Sequence, residues 1–172
     1  VNGESVGSAS GAGRQYDHGG DIAIGANTDG TFYETGESGT TASDFFSGDV
    51  AALSFTDASL NETQRTLLHN ALGATYEIGL GAGATDVYAG DTGDDYDLGV
   101  FGIGQTSAAD RHTSASFDGL QFDLSSGLDN GDYLVAGHRT KENGVTASDV
   151  SGVTGLDARM DRTWYVDRSS DG

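Results

Sequence analysis

The chain has no cysteine, one lysine among only eight basic residues, and no long apolar run. The missing cysteines exclude disulfide scaffolds, thiolate zinc sites and cysteine nucleophiles together, which leaves packing and bound ions as sources of stability. Eight basic residues against 27 acidic ones give a formal net charge of -19. Such a surface repels nucleic acid and anionic lipid, so a nucleic-acid role is excluded. No stretch approaches the roughly 18 apolar residues of a bilayer-spanning helix, so no membrane span is expected. Val1 is neither an initiator methionine nor the start of a signal peptide. The chain is therefore expected to be a processed product or an excised piece.

Short apolar runs punctuated by 28 glycines and many Ser, Thr, Asn and Asp residues are the texture of a strand-rich protein with many turns. The expected fold class is all-β, β-sandwich-like, with one amphipathic helix at about 60–72. Ser59 and Glu62 have capping-box spacing, Leu60, Leu67, Leu68, Ala71 and Leu72 share a face, and Gly73 is a candidate stop. Residues 74–78 could carry the helix another turn. Leu67 and Leu68 are expected to face a sheet. Three stretches organise the rest: a Gly/Ser-rich arm over 1–20, strands plus the helix over 21–78, and a β domain over 79–172. In the second stretch, residues 21–35 read as a hairpin with turn chemistry at Asn27 to Gly30, and Phe45 to Thr56 as a central strand. Strands are then expected at Asp86 to Ala89, Tyr96 to Gln105, Ser114 to Leu124, Asp132 to His138 and Arg159 to Asp167, with a long loop from Lys141 to Gly155.

Acidic residues supply the candidate sites. Of the 27 acids, 21 are Asp and 6 are Glu. Short carboxylates in Gly-rich loops suit calcium ligation, and the same bias also fits adaptation to saline water. Asp91, Asp94, Asp95 and Asp97 around Gly93 form the densest group, readable as a calcium site or as a solvated acidic loop. Asp129 and Asp132 flank Asn130-Gly131, which is first a hairpin turn and only secondarily a cation site. The four histidines, His18, His69, His112 and His138, show no paired metal-ligand spacing. In "RTWYVD", strand alternation puts Trp164 and Val166 on one face and Tyr165 on the other. With Trp164 inside, Tyr165 and Arg162 become candidates for contact with a partner. No nucleophile elbow, phosphate loop or singled-out carboxylate pair supports catalysis, so an enzyme is the last-ranked reading.

The run "FFSGDVAALSFTDASLNETQRTLLHNAL", with "DIAIGANTDG" upstream, resembles the end of a bacterial laminin-G or concanavalin A-like module. The blocks "VFGIGQTSAADRHTSASFDGLQFDL", "NGDYLVAGH" and "RMDRTWYVD" are similar to an uncharacterised β domain that follows such modules in secreted bacterial surface proteins. The resemblance implies an extracellular, cell-surface setting, and it carries over neither a reaction nor functional residues. Only the last strands of the laminin-G-like sandwich are present, so exposed edges are expected to find cover within the chain or on a neighbouring copy. The leading expectation is a non-enzymatic surface or structural module whose partners are copies of itself or adjacent domains. A calcium-dependent adhesin module binding glycans is the alternative.

Overall fold

The computed structural model describes residues 3–4, 27–28, 42–43, 46–92, 96–139, 144–146, 154 and 159–169. The chain divides into two compact units: Gly7–Phe55, and Val1–Val6 with Thr56–Gly172. The described residues are mostly β with a single helix, and all strand pairings are antiparallel. No helix among them is long and apolar enough to cross a membrane.

In the first unit, β1 (Asn27–Thr28) pairs with β2 (Ala42–Ser43). Asn27 and Thr28, expected in a turn, thus belong to a ladder; the other residues of that expected hairpin lie outside the described ones. The central strand expected from Phe45 to Thr56 is absent from the described part of that span, 46–56. Phe46, Val50, Leu53 and Phe55 are exposed there. Alternation supplies one apolar side to such a stretch, but a strand also needs a ladder partner for its backbone, and none pairs with it among the described residues.

The second unit begins its regular structure with α1 (Glu62–Tyr76). Its cap is Asn61 instead of Ser59. The Asn61 side chain accepts from the Gln64 N–H at 2.8 Å, and the Gln64 side chain accepts from the Asn61 N–H at 3.0 Å. This reciprocal pair satisfies two otherwise orphaned donors. Asn61 Nδ2 also donates to the Arg111 carbonyl at 3.1 Å, which ties the helix start to the sheet. The helix runs past Gly73 and stops where Glu77 turns left-handed at φ 53. Ile78 N–H donates to the Gly73 carbonyl at 2.9 Å and Glu77 N–H to the Ala74 carbonyl at 3.3 Å, a Schellman closure. Gly73 serves packing: a Cβ there would stand 3.1 Å from the Ile78 carbonyl and 3.4 Å from Leu80 Cδ2 as the chain folds back over the helix.

The main sheet has the order β10-β7-β3-β4, from β3 (Leu98–Gln105), β4 (Arg111–His112), β7 (Asp132–His138) and β10 (Trp164–Ser169). Central β7 is buried along nearly its whole length. Alternation divides the sheet residues between two faces. On one, Val135 and Tyr133 join Ala74, Val87 and Tyr88 in the core, with Leu67, Tyr96, Val100 and Tyr165 packed around them. On the other, Phe101, His138 and Trp164 meet Phe117 and Phe122 from the hairpin β5 (Ser114–Phe117) and β6 (Leu120–Asp123). Ser114 to Leu124, expected as one strand, is therefore two, reversed at Asp118 and Gly119, both with positive φ. The expected loop over 141–155 also contains a strand, β8 (Gly144–Thr146), paired with β9 (Arg159–Asp161).

Residues 86–89 do not form the expected strand. The Asn70 side chain replaces a strand neighbour: its oxygen accepts from Val87 N–H at 2.9 Å, and its amide donates to the Thr85 carbonyl at 2.9 Å. Backbone groups buried with Val87 and Tyr88 are thereby satisfied from the helix without a ladder. Leu67 faces the sheet as expected, against Gly102, whereas Leu68 is half-buried beside a groove bordered by Phe101 and His112.

Candidate functional site

The two ends of the acidic segment after Tyr88 are anchored, Ala89 to Asp167 of β10 and Asp97 to Thr75 of α1. Tyr88 is almost wholly buried, and its hydroxyl donates to the Tyr96 carbonyl at 2.7 Å, so the phenol closes the loop that carries the acids. Burial pushes the phenol far above its ordinary ionisation range, and Asp97, Asp91, Tyr165 and Asp167 add to the shift in the same direction. Three carboxylates from two distant parts of the sequence thus act on one buried hydroxyl. Asp91 accepts from the Thr92 hydroxyl at 3.1 Å, while the Asp97 carbonyl accepts from the Thr75 hydroxyl at 3.1 Å. Asp167 accepts from Ala89 N–H at 2.8 Å, pinning β10 to this segment. Asp94 and Asp95, the other expected calcium ligands, lie outside the described residues. No three His, Asp or Glu groups among the described residues come together closely enough to hold a metal.

Asp129 and Asp132 form a turn entering β7. Asp129 N–H donates to the Asp132 carboxylate at 3.0 Å and Asp132 N–H to the Asp129 carbonyl at 3.1 Å. Gly131 has φ 90 and its N–H donates to the Gln105 carbonyl at 2.7 Å, while Asn130 accepts from the Gln105 side chain at 3.0 Å. The Asp132 carboxylate is buried and turned toward backbone.

The proposed contact residues around Trp164 are packed inward. The Arg162 side chain is only 2% exposed, paired with Asp118 at the hairpin turn, and its Cζ lies 5.7 Å from the Trp164 ring centre. Trp164 meets His138 and Phe101 edge-on, with ring centres 5.0 and 5.9 Å apart. Tyr165, expected at the surface, is half-buried against Tyr96 at 5.5 Å and Tyr88 at 6.0 Å. Both faces of the sheet are covered at this point, so Trp164 and Tyr165 are each drawn in. Val166 is the large apolar side chain of β10 left exposed.

The described histidines do not gather into a ligand set. His69 lies beside Gly3, His138 stacks on Phe117, and His112 is half-buried on β4, where burial lowers its pKa. Sequence reasoning passed over Asp167 and Val166, which share a strand with the chosen aromatics. Alternation along "RTWYVD" could not single out Val166, because it sets Val166 on the same face as the inward Trp164; only the covering of that face decides that Trp164 is drawn in and Val166 left exposed. Comparison with known proteins finds no family model, no curated protein and no solved structure that matches the chain.

Proposed function

We propose that this chain is a non-enzymatic module of an extracellular surface structure, which works by assembling with copies of itself or with neighbouring domains. The observation that carries the reading is the apolar stretch Phe46, Val50, Leu53 and Phe55, all exposed, with Phe55 at 77%. Single exposed apolar residues are ordinary, but four large ones within ten residues are the mark of a surface that is covered in use. The extracellular setting rests on the resemblance of the later blocks to secreted surface proteins. Calcium belongs to the same proposal and rests on the sequence: Asp91, Asp94, Asp95 and Asp97 crowd around Gly93, and a divalent cation held by them would relieve their repulsion.

The test is light scattering and electron microscopy of the full chain across protein concentration, salt and calcium. Mass should rise with concentration and with salt, and the combined substitution of Leu53→Ser and Phe55→Ser should lower the assembled fraction without changing helix content. A chain that remains a monomer under every condition overturns the assembly reading. Retention of glycans by that monomer would move the assignment to an adhesin. For calcium, an ion bound at a hundredfold excess over its dissociation constant adds about 2.7 kcal/mol. Equal melting in calcium and in chelator removes calcium from the proposal.

A further inference from the structure

In the four-stranded sheet, β10 is an outer strand, paired along all six residues with β7 on its inner side. Among the described residues its outer side makes no backbone hydrogen bond. An open edge is a template for another strand, and proteins ordinarily guard it with proline, lysine or a bulge. None of these guards β10. The chain has no proline, its one lysine is Lys141, and the register between β10 and β7 runs without a shift. Asp167 does not guard the edge either, since its carboxylate is turned to Ala89 N–H.

Charge singles out what can pair there. Two copies of a chain of net charge -19 repel one another over most of their surfaces. Five of the eight basic residues nevertheless fall within residues 139–168, alongside five acids, so the stretch that ends in β10 is locally neutral. On β10 itself Asp167 and Arg168 cancel, so pairing two copies along this strand sets no net charge against net charge.

Register decides the rest. We infer that β10 pairs antiparallel with β10 of a second copy about a two-fold axis through Val166, joining two four-stranded sheets into one. This rests on the reading of the chain as a self-assembling module. In an antiparallel pair, opposite side chains share a face. With Val166 on the axis, its half-exposed side chain meets its own counterpart. Trp164 then stands opposite Arg168 of the second copy, a cation over an aromatic ring, and the contact occurs twice. The neighbouring registers are worse. Centring on Asp167 sets two carboxylates against each other, and like charges directly opposite are destabilising; centring on Tyr165 takes Arg168 past the start of the partner strand at Trp164 and leaves it without an opposite residue in β10.

Because the chain has no cysteine, single-cysteine variants report this geometry cleanly. Across the axis the β-carbons of Val166 stand about 4.5 to 5.5 Å apart, close to disulfide geometry. The two Ser169 positions are separated by six residues of strand, about 20 Å. Val166→Cys should therefore form a disulfide-linked dimer under mild oxidation at least about tenfold faster than Ser169→Cys, in keeping with that difference in reach. A second variant, Val166→Arg, should raise the concentration needed for association at least about tenfold by placing two cations on the axis. Circular dichroism of each variant checks that the helix is retained. Equal cross-linking of the two cysteine variants, with the wild-type chain still associating, overturns this edge and leaves the assembly reading standing. Wild-type chain that stays monomeric throughout overturns both.

Discussion

Gly102 on β3 sits where α1 presses on the sheet, and replacing it with alanine tests that contact directly. A β-carbon at Gly102 would stand 2.6 Å from the Leu134 carbonyl, 3.0 Å from Val135 Cγ2 and 3.1 Å from Leu67 Cδ2. The carbonyl belongs to β7, whose ladder with β3 pairs Gly102 with Val135 and Ile103 with Leu134, so it cannot retreat without loosening the sheet. Forcing a methyl into a filled core costs about 1 to 3 kcal/mol. Alanine also restricts the unfolded chain more than glycine does, which returns about 0.4 to 1 kcal/mol. The net expectation for Gly102→Ala is a loss of up to about 2.6 kcal/mol, the largest difference between those two ranges.

Gly79 provides the control. A β-carbon there meets nothing within 4 Å and its φ is not in the left-handed region, so Gly79→Ala should be neutral or stabilising by up to about 1 kcal/mol. Urea unfolding followed at 222 nm reads α1, the single helix among the described residues, and equal slopes confirm that midpoints report stability. In a Leu67→Ala background one of the three close neighbours is gone. Gly102→Ala should then cost at least about 0.5 kcal/mol less, the coupling expected of residues in contact. If Gly102→Ala and Gly79→Ala shift the midpoint alike, the helix does not bear on β3 and the packing argument fails.

The helix cap is tested by Asn61→Ala, which removes the box with Gln64 and the link to the Arg111 carbonyl. It should cost about 0.5 to 2 kcal/mol, with part restored by Asn61→Ser; an unmoved urea midpoint would refute it. Tyr88 has a raised folded pKa, so above about pH 10 the unfolded chain releases this proton before the folded one, and stability falls as pH rises. Tyr88→Phe should make the alkaline loss shallower, by up to about 1.4 kcal/mol per pH unit for one proton, and identical slopes would count against a shielded phenol. His112 has the opposite sense. Its folded pKa is lowered by burial, so below about pH 6.5 the unfolded chain takes up the proton first and stability falls as pH drops. His112→Gln should flatten that part of the profile between pH 7.5 and 5.5, measured as urea midpoints, and an unchanged profile would refute the assignment.

Elements whose bonding is local were legible in the sequence. The leucine stripe from Leu67 to Leu72 announced a helix, and "DYLVAGH" announced the buried central strand, because each carries its period within a few residues. The start of that helix was missed by two residues, since Ser59 and Asn61 both suit a cap and only the reciprocal bond with Gln64 chooses between them. "SFDGLQF" held a readable signal that was passed over. Asp118 and Gly119 both take positive φ, as a two-residue hairpin turn requires, and Asp-Gly is the dipeptide that does so at least cost. Residues 86–89 are a different case. Their apolar pattern fits a strand, but their hydrogen bonds go to Asn70, and no window of the sequence shows an amide 17 residues away. The site was less readable for the same reason. Asp91 and Asp97 were found by their density, whereas Asp167 joins them only through the fold.

The charge of the chain and the open edge of β10 bear on each other. An unguarded edge exposes a protein to indiscriminate pairing, yet here the guard need not be a residue on the strand. A body of net charge -19 repels its copies at separations up to about the Debye length, about 8 Å at physiological ionic strength, and is screened beyond it. At contact β10 itself carries no net charge, because Asp167 and Arg168 cancel, so backbone pairing along it has only the repulsion of the two bodies to outweigh. Added salt shortens the reach of the repulsion and leaves the strand hydrogen bonds and the Val166 contact intact. Association through this edge must therefore strengthen with salt. An interface held chiefly by ion pairs would weaken under the same titration, so the sign of the salt dependence separates the two without any substitution.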